Sequence, residues 1–116
     1  MGNLYEKILL ICVCLLPTIV HARYTANFQG KVTSVLTYPD STLILIRVEG
    51  MPTNHPKCTN FDLMAIDPAI SSESRQLVMS RLLTAYSMKE VVNIGYDKDS
   101  NSDSCVGERL RVHRVG

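Results

Sequence analysis

SSESRQLVMSRLLTAYSMKEVVNIGY, residues 71–96, changes its hydrophobic period partway along. Val78, Met79, Leu82, Leu83 and Tyr86 recur at spacings of three and four, while Arg75, Ser80 and Arg81 fall elsewhere. That pattern predicts an amphipathic helix of about 15 residues with one face to bury. Ser71, Ser72 and Glu73 supply a cap and a first-turn acid, and Asp67-Pro68 can open an earlier helical turn. From Glu90 to Tyr96 the period drops to two, with Val92, Ile94 and Tyr96 on one side and Val91 and Asn93 on the other. This is a strand. A single helix feeding a strand decides the fold class.

Outward from this stretch the chain reads as strands. Thr42–Gly50 (TLILIRVEG) is the clearest, with Ile44, Ile46 and Val48 opposed to Leu43, Leu45, Arg47 and Glu49. Gln29–Tyr38 precedes it, and Pro39-Asp40-Ser41 joins the two as a hairpin. Pro52 and Pro56 make Met51–Asn60 a loop, and Phe61–Ile66 is a third strand. After the helix and its strand, Asp97–Ser104 (DKDSNSDS) is a polar loop. Glu108–Val115 is a last strand, with Leu110, Val112 and Arg114 opposing Arg109, Arg111 and His113. The expected fold is mainly β with one helix (α+β), ordered strand, strand, strand, helix, strand, strand. That order belongs to the OB-fold, a small five-stranded barrel; an open antiparallel sheet crossed by one helix is the competing arrangement.

The beginning of the chain sets its destination. Lys7 precedes an apolar run from Ile8 to Leu16, and small residues, Val20 and Ala22, fall at the spacing of an export cleavage site. The run is shorter than the ~20 residues a membrane-crossing helix needs, and Pro17 interrupts it. Residues 1–22 are therefore expected to be a signal peptide, with no permanent anchor, and residues 23–116 one exported domain, periplasmic or extracellular. About ninety residues suffice for one core and not for two. Glu6 and Lys7 leave together, so the net charge stays at +1, giving no footprint for nucleic acid. Cys12 and Cys14 leave with the leader. Cys58 and Cys105 remain, and in an oxidising compartment they are expected to pair. Closing such a loop contributes on the order of 4 kcal/mol on the chain-entropy model.

LLTAYSMKEVVNIGYD (Leu82–Asp97), with Cys105 shortly after, resembles the pentamer-forming B subunits of bacterial AB-type toxins, and the subtilase-cytotoxin B-subunit kind more closely. The layout covers the mature chain, the residue pattern only about its last third. The resemblance implies a non-enzymatic subunit whose helix packs around a central pore and whose barrel surface binds host glycans. Expected partners are glycans or another exported protein, together with further copies of the chain. No glycan-contacting residue carries over.

Three groups of side chains bear chemistry. Asp97, Asp99, Asn101, Asp103 and Glu108 occupy positions 1, 3, 5, 7 and 12 of a calcium-binding loop. However, Ser102 stands where that loop needs glycine, and strands flank it, so a solvated turn-rich loop is the plainer reading. His55 and His113, with Lys31 and Lys57, match in kind the acid–base set of small secreted hydrolases, without local support. Arg47, Arg109, Arg111 and His113, beside Glu108, form a polar stripe able to bind an anion through bidentate arginine or simply to face solvent. No nucleophile elbow, phosphate loop or zinc-protease motif is present. The chain is expected to use no cofactor and to be no enzyme.

Overall fold

The computed structural model describes residues 24–116, so the expected leader lies outside the described residues. Strands β1 (Ala26–Thr37), β2 (Ile44–Val48) and β3 (Asn60–Ile66) are followed by helix α1 (Ser72–Met88). Then come β4 (Val91–Tyr96), β5 (Cys105–Val106), β6 (Arg109–Arg111) and β7 (Arg114–Val115). The described residues are mainly β with one helix, as their periodicities predict.

The strands form one mixed seven-stranded sheet in the order β5-β6-β3-β2-β1-β4-β7. Every ladder is antiparallel except β3 with β6. Five strands closed into a barrel were expected; among the described residues seven are found, and their ladders do not close. The difference comes from the last third of the chain. Cys105–Val106 adds a short strand, and the expected strand Glu108–Val115 is split into β6 and β7. At the split, Val112 N–H donates to Ala65 O on β3 (2.9 Å) while His113 N–H donates to Gly95 O on β4 (2.8 Å). Consecutive amides thus turn to different strands, which ends one ladder and begins another.

β1 is the longest strand because it serves two partners. Ala26–Lys31 pairs with β4, and Val32–Thr37 pairs with β2, with a register break between Val32 and Ser34. Gly30 sits just before the break, where a Cβ would lie 1.9 Å from Glu49 O. Only glycine permits that approach. The hairpin joining β1 to β2 is closed by Ser41 N–H to Tyr38 O and by Leu43 N–H to Ser41 Oγ.

Alternation along β2 splits its side chains between two clusters, as expected. Ile44, Ile46 and Val48 enter the main core with Val32, Met64, Ile66, Leu82, Ala85, Val92, Ile94 and Leu110. Leu45 joins Leu63 and Ala65 on the opposite face, with Leu36, Leu43 and Val106 packed around them.

Helix α1 begins at Ser71, whose Oγ accepts from Ser74 N–H, and ends at Lys89 in the left-handed region (φ 55°), whose N–H caps Ala85 O. Its buried face differs from the expected one. Leu82 and Ala85 are fully buried and Val78 and Met79 pack against the core, but Leu83 and Tyr86 remain about half exposed, at 49% and 47%. With Ala85 as well as Leu82 on the buried side, the core-facing stripe is centred between them, which leaves Leu83 and Tyr86 on a flank. Among the described residues no helix is long and apolar enough to cross a membrane.

Candidate functional site

The polar segment after β4 is organised around one buried carboxylate. Asp97 is 1% exposed and Ser104 is fully buried. Asp97 Oδ1 accepts from Thr25 Oγ (3.1 Å) and from Asp99 N–H (2.9 Å), and Oδ2 accepts from Asn101 Nδ2 (2.7 Å). Ser104 Oγ accepts from Asn101 N–H (2.9 Å) and faces both Asp99 O (2.6 Å) and Asp97 Oδ2 (3.2 Å), donating to one at a time. Burial pushes the Asp97 carboxyl up, but hydrogen bonds from Asn101, the Asp99 amide, Thr25 and Ser104 outweigh it, and the group lies below the ordinary aspartate range.

His55 fastens the same segment from the other side. Its Nδ1 accepts from Lys57 N–H and Cys58 N–H (both 3.0 Å), which leaves the proton on Nε2, 2.8 Å from Asp97 O. Lys57 Nζ donates to Asn101 O (2.9 Å). The Cys58–Cys105 disulfide, with a Cα–Cα distance of 5.8 Å, ties this loop to β5. His113 reaches the loop too, with Nε2 3.1 Å from Asp103 O. The two histidines of the hydrolase reading thus each hold a backbone carbonyl of one loop.

The acidic residues of the calcium reading do not converge. Asp97 turns inward onto protein donors, Asp99 and Asn101 are exposed, and Glu108 lies beyond β5, its carbonyl accepting from Thr59 and Asn60 N–H. Among the described residues, the metal-capable atoms that do lie within 4.8 Å of one another belong to His55, Cys58 and Cys105. Both sulfurs there are in the disulfide and both ring nitrogens are engaged, so that group binds itself.

The predicted polar stripe separates into two parts. Arg109 grips Asp62 with Nε and Nη2 (3.0 and 3.2 Å), and Arg47 Nε donates to Asp62 O (3.3 Å). The Arg109 hydrogen bond holds the Asp62 carboxyl below its usual value. Arg111 and His113 instead line a cleft of about 590 Å³ between the end of β3, the start of α1 and the β6–β7 split. Arg111 is anchored there by Asp67, by Asp103 O (2.8 Å) and by Cys105 O (3.4 Å). The Ala69 amide, first, and Arg111 lower the Asp67 carboxyl. Arg114 and Ser74 complete the polar rim, and Ser74 Oγ accepts from Ser71 Oγ (3.0 Å).

Sequence reading missed Asp62 and Asp67 as the partners of the arginines, and Thr25 and Ser104 as the partners of Asp97. The one local signal was the Asx pattern at Asp67-x-Ala69 and Asp97-x-Asp99, where a carboxylate caps the amide two residues on. No family model, no curated protein and no solved structure matches the chain.

Proposed function

We propose that the protein is an exported, non-catalytic binding and assembly subunit with an OB-like layout, which self-associates and presents its surface to glycans or to another exported protein. The observation that carries this reading is where apolar surface is left uncovered. Leu77 (73%), Met88 (68%), Leu83 and Tyr86 all lie on α1, and Val91 (56%) follows directly after it. By helical spacing Leu77 and Met88, eleven residues apart, share the outward side. Leu83 and Tyr86 share a flank. Apolar side chains concentrated on one exposed element mark an interaction surface.

Two further observations support the reading. His55, His113, Arg109, Arg111 and the buried Asp97 are engaged in internal hydrogen bonds, which favours recognition over bond-making. The disulfide fits an oxidising, exported setting. For the OB-like layout, β6 and β7 are read as one interrupted strand lying against both β3 and β4, an arrangement favoured by the Val112 and His113 amide bonds. The toxin B-subunit likeness belongs to this proposal as the kind of assembly it describes.

Sedimentation velocity at micromolar concentration tests it. The wild type is expected to run as a species larger than a monomer, and the Leu77→Asp, Met88→Asp double variant as a folded monomer. A wild type that stays monomeric overturns the assembly reading and leaves a monomeric periplasmic interaction module in its place.

A further inference from the structure

His55 stands beside the disulfide as well as beside the loop it fastens. A ring nitrogen of His55 and the sulfurs of Cys58 and Cys105 lie within 4.8 Å of one another. Ligand atoms that share one tetrahedral zinc stand about 3.6–3.8 Å apart, so small side-chain rotations bring the three to that spacing. The backbone already holds them in place. The Cys58 and Cys105 Cα atoms are 5.8 Å apart, and His55-x-x-Cys58 puts two ligand types on one turn, a short spacing of the kind metal-binding loops use.

His55 is oriented as a ligating imidazole is. Its Nε2–H donates to Asp97 O (2.8 Å), and Nδ1 faces the turn, accepting from Lys57 and Cys58 N–H (both 3.0 Å). Metal-bound histidines place their second N–H on a carbonyl or carboxylate in this way, which fixes the tautomer and leaves the other lone pair for the ion. Among the described residues no carboxylate belongs to the group. Two sulfurs and an imidazole select a borderline-soft ion such as zinc over calcium or magnesium, which need oxygen ligands. Sulfurs bonded to each other do not ligate, so the site depends on redox state. Cys58 is 2% exposed, but Cys105 is partly exposed, which opens one sulfur to an incoming thiol.

We propose that His55, Cys58 and Cys105 form a zinc site when the disulfide is reduced, so that metal and disulfide are interchangeable staples between the β2–β3 loop and β5. A dithiol of the thiol–disulfide oxidoreductase class supplies the two electrons. Its thiolate attacks Cys105 Sγ and displaces the Cys58 thiolate; its second thiol then resolves the mixed disulfide and frees Cys105. The dithiol leaves as its own disulfide. Zinc takes the two cysteine sulfurs, whose protons pass to solvent. His55 Nδ1 is the third ligand, exchanging its two amides for the ion, and water is the fourth. Neither self-association nor glycan binding enters this exchange.

The test uses the exported protein, oxidised or reduced with a phosphine, and zinc or cobalt(II) alone as probe. Native mass spectrometry is expected to find about one zinc on the reduced chain and none on the oxidised one. Cobalt(II) should give a thiolate charge-transfer band with the reduced protein only. Reduction should speed amide exchange over residues 97–105, and zinc should slow it again. Oxidised glutathione should then release the zinc and restore the disulfide mass. The His55→Gln variant keeps an acceptor for the two amides and is checked for unchanged exchange when oxidised. Once reduced, it should bind zinc at least about tenfold more weakly than the wild type. Equal zinc binding by the oxidised protein, by reduced His55→Gln or by the urea-unfolded reduced chain overturns the proposal, as does a reduced chain that zinc does not protect again.

Discussion

Asp97 shows how a residue can be conspicuous in the sequence for the wrong reason. Alternating oxygen-bearing residues point to a cation, yet periodicity cannot tell which way a carboxylate turns. Here it turns into the protein, toward Thr25, a residue 72 positions away. Such a partner is invisible to local spacing. The Cys58–Cys105 pair was legible because the choice was between one partner and none. Removing the Asp97 acceptor strands buried donors, so Asp97→Ala should cost roughly 2–4 kcal/mol by chemical denaturation. The same group makes stability depend on acid. Asp97, Asp62 and Asp67 are all lowered in the folded state. Their contribution is therefore complete above the unfolded carboxyl value of about 3.9 and lost as pH falls below it through the folded values. Melting temperature should be level down to about pH 4 and fall below it, with a shallower fall in Asp97→Ala. Asp62 is exposed, and solvent screening leaves it a small share.

At the scale of elements, the period-two and period-3.6 segments were read correctly in kind and the strand faces with them, whereas element ends and the helix face were not. β1 begins earlier than Gln29 because pairing with β4 extends it, a tertiary cause with no local mark. The helix face was misjudged because Ala85 carries little hydrophobic weight in a pattern yet is fully buried beside Leu82. Two substitutions probe these elements. Gly30→Ala should force β1 and Glu49 apart and lower stability by about 1–3 kcal/mol, measured as a shift in denaturation midpoint. Lys89→Gly, at a left-handed helix end, should raise it by up to about 1 kcal/mol. A stabilising Gly30→Ala would mean that the β1 break is placed wrongly.

Over the whole molecule, the class was legible from the order of the segments. The strand count was not, because splitting Glu108–Val115 depends on where two consecutive amides find carbonyls. The segment between β4 and β5 is fastened by Asp97, His55, Ser104 and the Cys58–Cys105 disulfide rather than by a bound cation. Amide hydrogen exchange over residues 97–105, with and without added calcium, tests this claim most directly. The account predicts that Lys98, Asp99, Asn101 and Ser104 amides, each hydrogen-bonded, exchange as slowly as core strands and do not respond to the ion. Exchange at unstructured rates, or protection that appears only on adding calcium, would contradict it.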